Sequence, residues 1–100
     1  MDKFLSTLGL ARRAGRLRYG FDMVMEGLDQ IHLLLLAEDC SPRTCRNFET
    51  AAKDWGLPLL RLPYTKDQLG AGLGTKPVGI IGVADRGFAK SLTQSIEGGK

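Results

Sequence analysis

The segment Ile31-His-Leu-Leu-Leu-Leu-Ala37 constrains this chain more than any other, because it is apolar at nearly every position. A strand is apolar on both sides only where both are covered, so the run predicts a central strand enclosed between two layers. It is far too short to span a membrane. His32, the only histidine, is read as a hydrogen-bonded structural residue within that strand.

The flanking segments supply the covering layers. Lys3 to Ala14 reads as a helix, with Phe4, Leu8 and Ala11 at helical spacing and Gly15 as its C-terminal glycine. Arg16 to Tyr19 is a short extended segment. Gly20 breaks the pattern, and a second helix is expected from Phe21 to about Gln30, with Val24 and Leu28 inward. Ser41 and Pro42 suit the cap and first position of a third helix running to Trp55, with Thr44, Phe48, Ala51, Ala52 and Trp55 available for one face. Leu57 to Leu62 reads as strand. Thr65 caps a short helix from Lys66 to about Ala71, and Gly70, Gly72 and Gly74 are read as a flexible turn before an exposed tip, Thr75-Lys-Pro77. Val78 to Val83 is a further strand, and Asp85 opens a last helix with Phe88, Leu92 and Ile96 on one face. Glu97 to Lys100 is expected to fray. Alternating helices and strands imply an α/β fold with a sheet covered on both faces, a three-layer sandwich.

One hundred residues suit a single domain over 1–100. Met-Asp-Lys-Phe opens the chain without an apolar stretch of signal-peptide length, so a cytoplasmic protein with reduced Cys40 and Cys45 is expected. The net charge is only +3, but it is unevenly placed. Residues 1–18 hold Lys3, Arg12, Arg13, Arg16 and Arg18 against Asp2 alone, while the remainder carries 9 basic and 10 acidic groups. Clustered guanidinium groups suit an anionic partner such as a phosphate backbone, and equally a solvated helix end followed by a basic turn.

Enzyme chemistry finds little support. Gly70-Ala-Gly72-Leu-Gly74 has neither the spacing nor the strand-to-helix context of a dinucleotide fingerprint, and no Gly-Lys-Ser/Thr is present. Cys40 and Cys45, with four residues between them and no second pair, have the spacing of neither a zinc site nor a thioredoxin-type pair. Glu38-Asp39 follows a strand without a histidine or further carboxylates nearby in sequence. No catalytic residue, metal or cofactor is expected. The binding reading fares better: Arg16 and Arg18 lead into Gly20 and a helix start, a combination suited to phosphate.

Four segments then carry a family resemblance: Leu8-Gly-Leu-Ala-Arg-Arg-Ala-Gly15-Arg-Leu-Arg-Tyr-Gly20, Leu33-Leu-Leu-Leu-Ala-Glu-Asp39, Leu69-Gly-Ala-Gly-Leu-Gly74 and Val83-Ala-Asp-Arg-Gly-Phe-Ala89. Together they resemble the L-seven-Ae, L-thirty-e and S-twelve-e ribosomal-protein superfamily, and within it the small bacterial YlxQ-like branch. The resemblance implies an α-β-α sandwich around a mixed four-stranded sheet. It also implies non-catalytic binding of kink-turns, sharply bent RNA internal loops with tandem sheared G·A pairs. The expected partner is a ribosomal or messenger RNA bound by a monomer, in a ribosome-associated or regulatory role. Members that read the sheared guanines begin the second helix with Gly-x-Asn-Glu-x-x-Lys; those positions fall here on Gly20, Asp22, Met23 and Glu26. The glycine is kept, Asp22 retains an acceptor without the amide donors, Met23 offers no hydrogen bond, and Glu26 reverses the lysine charge. Arg16 and Arg18 match backbone-contacting positions, Thr75, Lys76 and Pro77 match the late loop, and Ala37, Glu38 and Asp39 match the loop beside it. A protein-interaction module on the same fold, using the apolar Phe21, Met23 and Met25, is the alternative.

Overall fold

Ser41 and Gly56 bracket the longest helix as their chemistry dictates. The Ser41 hydroxyl accepts from the Thr44 N–H at 3.2 Å, and Gly56 closes the helix in the left-handed region at φ 64°. In the computed structural model, which describes residues 3–97, that helix is α3, Pro42–Trp55. Before it come α1 (Lys3–Arg13), β1 (Leu17–Tyr19), α2 (Phe21–Glu26), a 3₁₀ turn at Leu28–Gln30 and β2 (Leu33–Leu36). After it come β3 (Leu59–Arg61), α4 (Lys66–Leu73), β4 (Ile80–Val83) and α5 (Arg86–Glu97).

The four strands form one mixed sheet in the order β1-β4-β2-β3. β4 runs antiparallel to both β1 and β2, and β3 runs parallel to β2. Leu33 to Leu36 lie at the centre of the molecule without solvent exposure. Leu33 and Leu35 join Phe4, Leu8, Leu69, Leu73, Ile81 and Leu92 in one core, beneath α1, α4 and α5. Leu34 and Leu36 join Val24, Phe48, Ala51 and Ile80 in the other, beneath α2 and α3. The expected three-layer sandwich is therefore observed, and its two cores explain why the run lacks alternation.

Several local expectations change. β2 starts at Leu33, after His32, whose side chain is exposed; only its main-chain N–H is tied down, donating to the Val83 carbonyl at 2.8 Å. α2 stops at Glu26 instead of continuing to Gln30. Gly27 interrupts it, and a Cβ there would collide with the Arg18 side chain. Trp55 is 53% exposed and lies outside the core. Gly70 and Gly72 are not a turn but part of α4, which is started by a reciprocal Thr65–Gln68 capping box and ended by Gly74 at φ 73°. At the chain end, Glu97 closes α5, and residues 98–100 of the expected frayed tail lie outside the described residues.

Candidate functional site

Three of the predicted segments meet at one end of the sheet because of the strand order. β1 and β2 flank the antiparallel β4, so both deliver their C-terminal ends to the place where β4 begins. The Gly20 N–H donates to the Ile80 carbonyl at 3.2 Å from one side, and the Ala37 N–H donates to the Gly79 carbonyl at 3.0 Å from the other. The Thr75-Lys-Pro77 loop immediately precedes that point. Glu38 and Asp39 continue around it: the Glu38 N–H donates to the Tyr64 carbonyl at 2.8 Å, and Asp39 Oδ1 accepts from the Lys66 N–H at 2.8 Å.

Gly20 turns the chain from β1 into α2 at φ 84° and ψ 161°, a conformation open almost only to glycine. This places Asp22 and Met23 on the exposed first turn of α2, with Met23 52% exposed, while Glu26 is exposed at its end. The Phe21 ring meets Phe48 edge-on at 5.2 Å, which anchors the start of α2 to α3.

The late loop has an equally specific seat. The Thr75 N–H donates to the Gly70 carbonyl at 2.8 Å, and the Thr75 hydroxyl donates to the Lys76 carbonyl at 2.9 Å. A Cβ on Gly70 would stand 2.8 Å from the Lys76 carbonyl carbon and 3.0 Å from the Pro77 Cα. Gly70 is thus the floor on which Lys76 and Pro77 rest, with both of those side chains exposed, while Gly72 faces Leu5 of α1. Gly70→Ala is expected to shift this loop. Helix propensity favours alanine by about 1 kcal/mol, whereas displacing packed backbone costs roughly 1–3 kcal/mol, so a net loss of stability is expected. Urea unfolding would measure it, and a variant as stable as the parent would show that the loop does not rest on Gly70.

The arginines lie elsewhere. Arg16 precedes β1 and its carbonyl accepts from the Ala84 N–H at 2.8 Å, at the opposite end of the strand from Gly20. Four residues of extended chain separate the two by roughly 13 Å, so Arg16 and the α2 start do not form the compact phosphate clamp expected from their closeness in sequence. Arg16 and Arg18 instead line a groove of about 490 Å³ along β1, together with Met23, Gln30 and Ala84. Arg18 is partly engaged: its guanidinium donates to Gln30 Oε1 at 3.1 Å and reaches the Met23 carbonyl at 3.5 Å. Arg16 is exposed, with no hydrogen bond from its guanidinium among the described residues. Met23 is the residue shared between this groove and the loop-bearing end.

Electrostatically the two parts differ. The loop-bearing end presents Asp22, Glu38 and Asp39 beside Lys76, whereas the β1 groove carries two guanidinium groups and no carboxylate. Tyr19, next to Gly20, has its phenol pKa raised by burial, an effect opposed by the Arg12 guanidinium. Two contributors escaped the sequence reading. Gly27 is needed for the close passage of Arg18, and Arg43 shares a cleft of about 480 Å³ with Phe21 and Asp22. Neither leaves a local signal, because each meets its partner through the fold. Among the described residues, no group of three or more His, Cys, Asp or Glu side chains is placed to hold a metal. None of the described helices is long and apolar enough to cross a membrane.

Comparison with known proteins places this arrangement in context. Residues 2–93 match the model of the ribosomal protein L7Ae/L30e/S12e/Gadd45 family. The chain is 28% identical over 99 residues to the RNA-binding protein YlxQ of Enterococcus faecium, covering 97% of this chain and 94% of that protein. It is also 28% identical over 92 residues to the RNA-binding protein YlxQ of Bacillus subtilis (strain 168), covering 90% of this chain and 91% of that protein. A solved structure from Bacillus halodurans, described as a protein with unknown function, superposes with a TM-score of 0.90 at 29% identity, covering 97% of this chain and 99% of that one. The 15.5kD RNA binding protein of Giardia lamblia shares the fold, with a TM-score of 0.77 at 15% identity, covering 94% of this chain and 84% of that one.

Proposed function

The chain belongs to the ribosomal protein L7Ae/L30e/S12e/Gadd45 family, and from that membership we propose that it is a non-catalytic RNA-binding protein that grips a sharply bent, kink-turn-like RNA. The observation that carries this reading is the convergence of Gly20–Met23, Ala37–Asp39 and Thr75–Pro77 on the start of β4, with a two-arginine groove leading away along β1. A bent RNA presents two helical arms. One seats its internal loop against the α2 start and the Thr75–Pro77 loop, and its backbone follows Arg18 and Arg16. The relatives named RNA-binding proteins over nearly their whole length support the same partner class. Double-stranded RNA hides its base edges in a narrow major groove, so fit to a bent shape with phosphate contacts suits a site poor in side chains that read bases.

Binding to a kink-turn duplex and to a straight duplex of matched length, compared by gel shift across a salt series, tests the proposal. Selective binding to the bent RNA is the expected result. Equal affinity for both duplexes would sink kink-turn recognition and leave only backbone attraction.

A second reading rests on a specific feature. Met23 and Phe21 are 52% and 38% exposed on a helix start flanked by carboxylates, which would suit an apolar protein partner better than phosphate. In that case Asp22→Asn with Met23→Glu and Glu26→Lys would create RNA affinity absent from the parent. If the parent already prefers the bent duplex, this second reading fails.

A further inference from the structure

The two cysteines are far enough apart in sequence to look unrelated, yet the start of α3 brings them together. With Ser41 as the cap, Cys40 is the residue immediately outside the helix and Cys45 is the fourth residue within it. These are the two positions whose side chains fold over a helix start and touch when both are apolar. Here the touching groups are thiols. Cys45 Sγ lies 3.6 Å from the Cys40 carbonyl oxygen, and both side chains pack in the core beneath α2 and α3. Both are free, Cys45 is buried, and Cys40 is partly exposed. Cys40 also packs against both cores, and its Sγ would lie 3.6 Å from a Cβ placed on Gly79.

We propose that Cys40 and Cys45 form a reversible dithiol–disulfide site, oxidised by a small-molecule disulfide such as glutathione disulfide. The partly exposed Cys40 is the entry point. Its thiolate attacks glutathione disulfide, forming a mixed disulfide and releasing one glutathione. The Cys45 thiolate then attacks the Cys40 sulfur and releases the second. The protein loses two hydrogens, and one glutathione disulfide becomes two glutathione thiols. The product ties the loop that follows Ala37-Glu-Asp39 to the first turn of α3, through a sulfur that lies beside Gly79. The covalent step stands on these two side chains and is independent of the RNA reading.

Burial and the neighbouring Cys45 thiol push the Cys40 pKa up to about 11, against the opposing pull of Lys66 and Arg61. Only a small fraction is thiolate at neutral pH, so entry is slow there, and its rate rises about tenfold per pH unit from 7 to 9. The full chain would be equilibrated with reduced and oxidised glutathione, acid-quenched, alkylated and digested with trypsin. Cleavage after Arg43 separates the two cysteines, so their peptides remain joined only through a disulfide. The expected product is that joined pair from monomeric protein, reversed by excess thiol. Cys45→Ser should abolish it and leave a glutathione adduct on Cys40. Two alkylated cysteines at an oxidising poise, or separate glutathione adducts on each, would overturn the proposal.

Discussion

Phe48→Ala is expected to lower the free energy of unfolding by about 3–5 kcal/mol, the range for removing a large aromatic ring from a closed core. Phe48 has no solvent exposure and sits within the core that joins Leu34, Leu36 and Val24 beneath α2 and α3. Domains of this size have a total stability of roughly 5–15 kcal/mol, so the change consumes a large part of the margin. It also removes the ring on which Phe21 rests at 5.2 Å, and with it the support for the α2 start. RNA affinity should therefore fall even under conditions where the variant remains folded. Trp55→Ala is the internal control. It deletes a larger side chain on the same helix, but one that is 53% exposed, and should cost less than about 1 kcal/mol. Urea unfolding of both variants measures the contrast. Similar losses would mean that volume, not enclosure, sets the effect.

That contrast marks what was legible in the sequence. Phe48 and Trp55 stand seven residues apart on one helical face, and periodicity treats them alike. Whether the last turn of α3 is covered depends on what packs there, which no pattern within the helix encodes. The central strand was legible because four consecutive leucines can be buried together only between two layers. The caps at Ser41, Thr65 and Gly56 were legible because their chemistry is local. Gly70 and Gly72 misled for the opposite reason. Glycine weakens a helix, so a run of glycines reads as a turn, but here the Thr65–Gln68 capping box holds the helix, while Lys76 and Pro77 pack where a Cβ on Gly70 would stand and Leu5 packs against Gly72. The candidate site was legible as separate segments only. Their convergence follows from the order β1-β4-β2-β3, a long-range pairing, whereas the distance of Arg16 from Gly20 follows from the extended β1 between them.

The separation of Arg16 from the loop-bearing end makes the charge contributions distinguishable. Replacing Arg16, Arg18 and Lys76 together with alanine is expected to weaken RNA binding by about two to three orders of magnitude, taking roughly 1–1.5 kcal/mol for each charge-assisted phosphate contact. The slope of log affinity against log salt should flatten by about one per lost contact. The single variants should not be equal. Arg18 already shares its guanidinium with Gln30 and the Met23 carbonyl, so RNA gains less from it, and its removal also frees space over Gly27. Arg16 and Lys76 are exposed, with no side-chain hydrogen bond among the described residues, so each should carry more of the salt dependence than Arg18. If the RNA backbone runs from the Thr75–Pro77 loop along the β1 groove, truncating the arm of the bent RNA on the groove side should erase the effect of Arg16→Ala and spare that of Lys76→Ala. A truncated RNA that remained equally sensitive to both substitutions would place Arg16 and Lys76 on the same arm and reject this path.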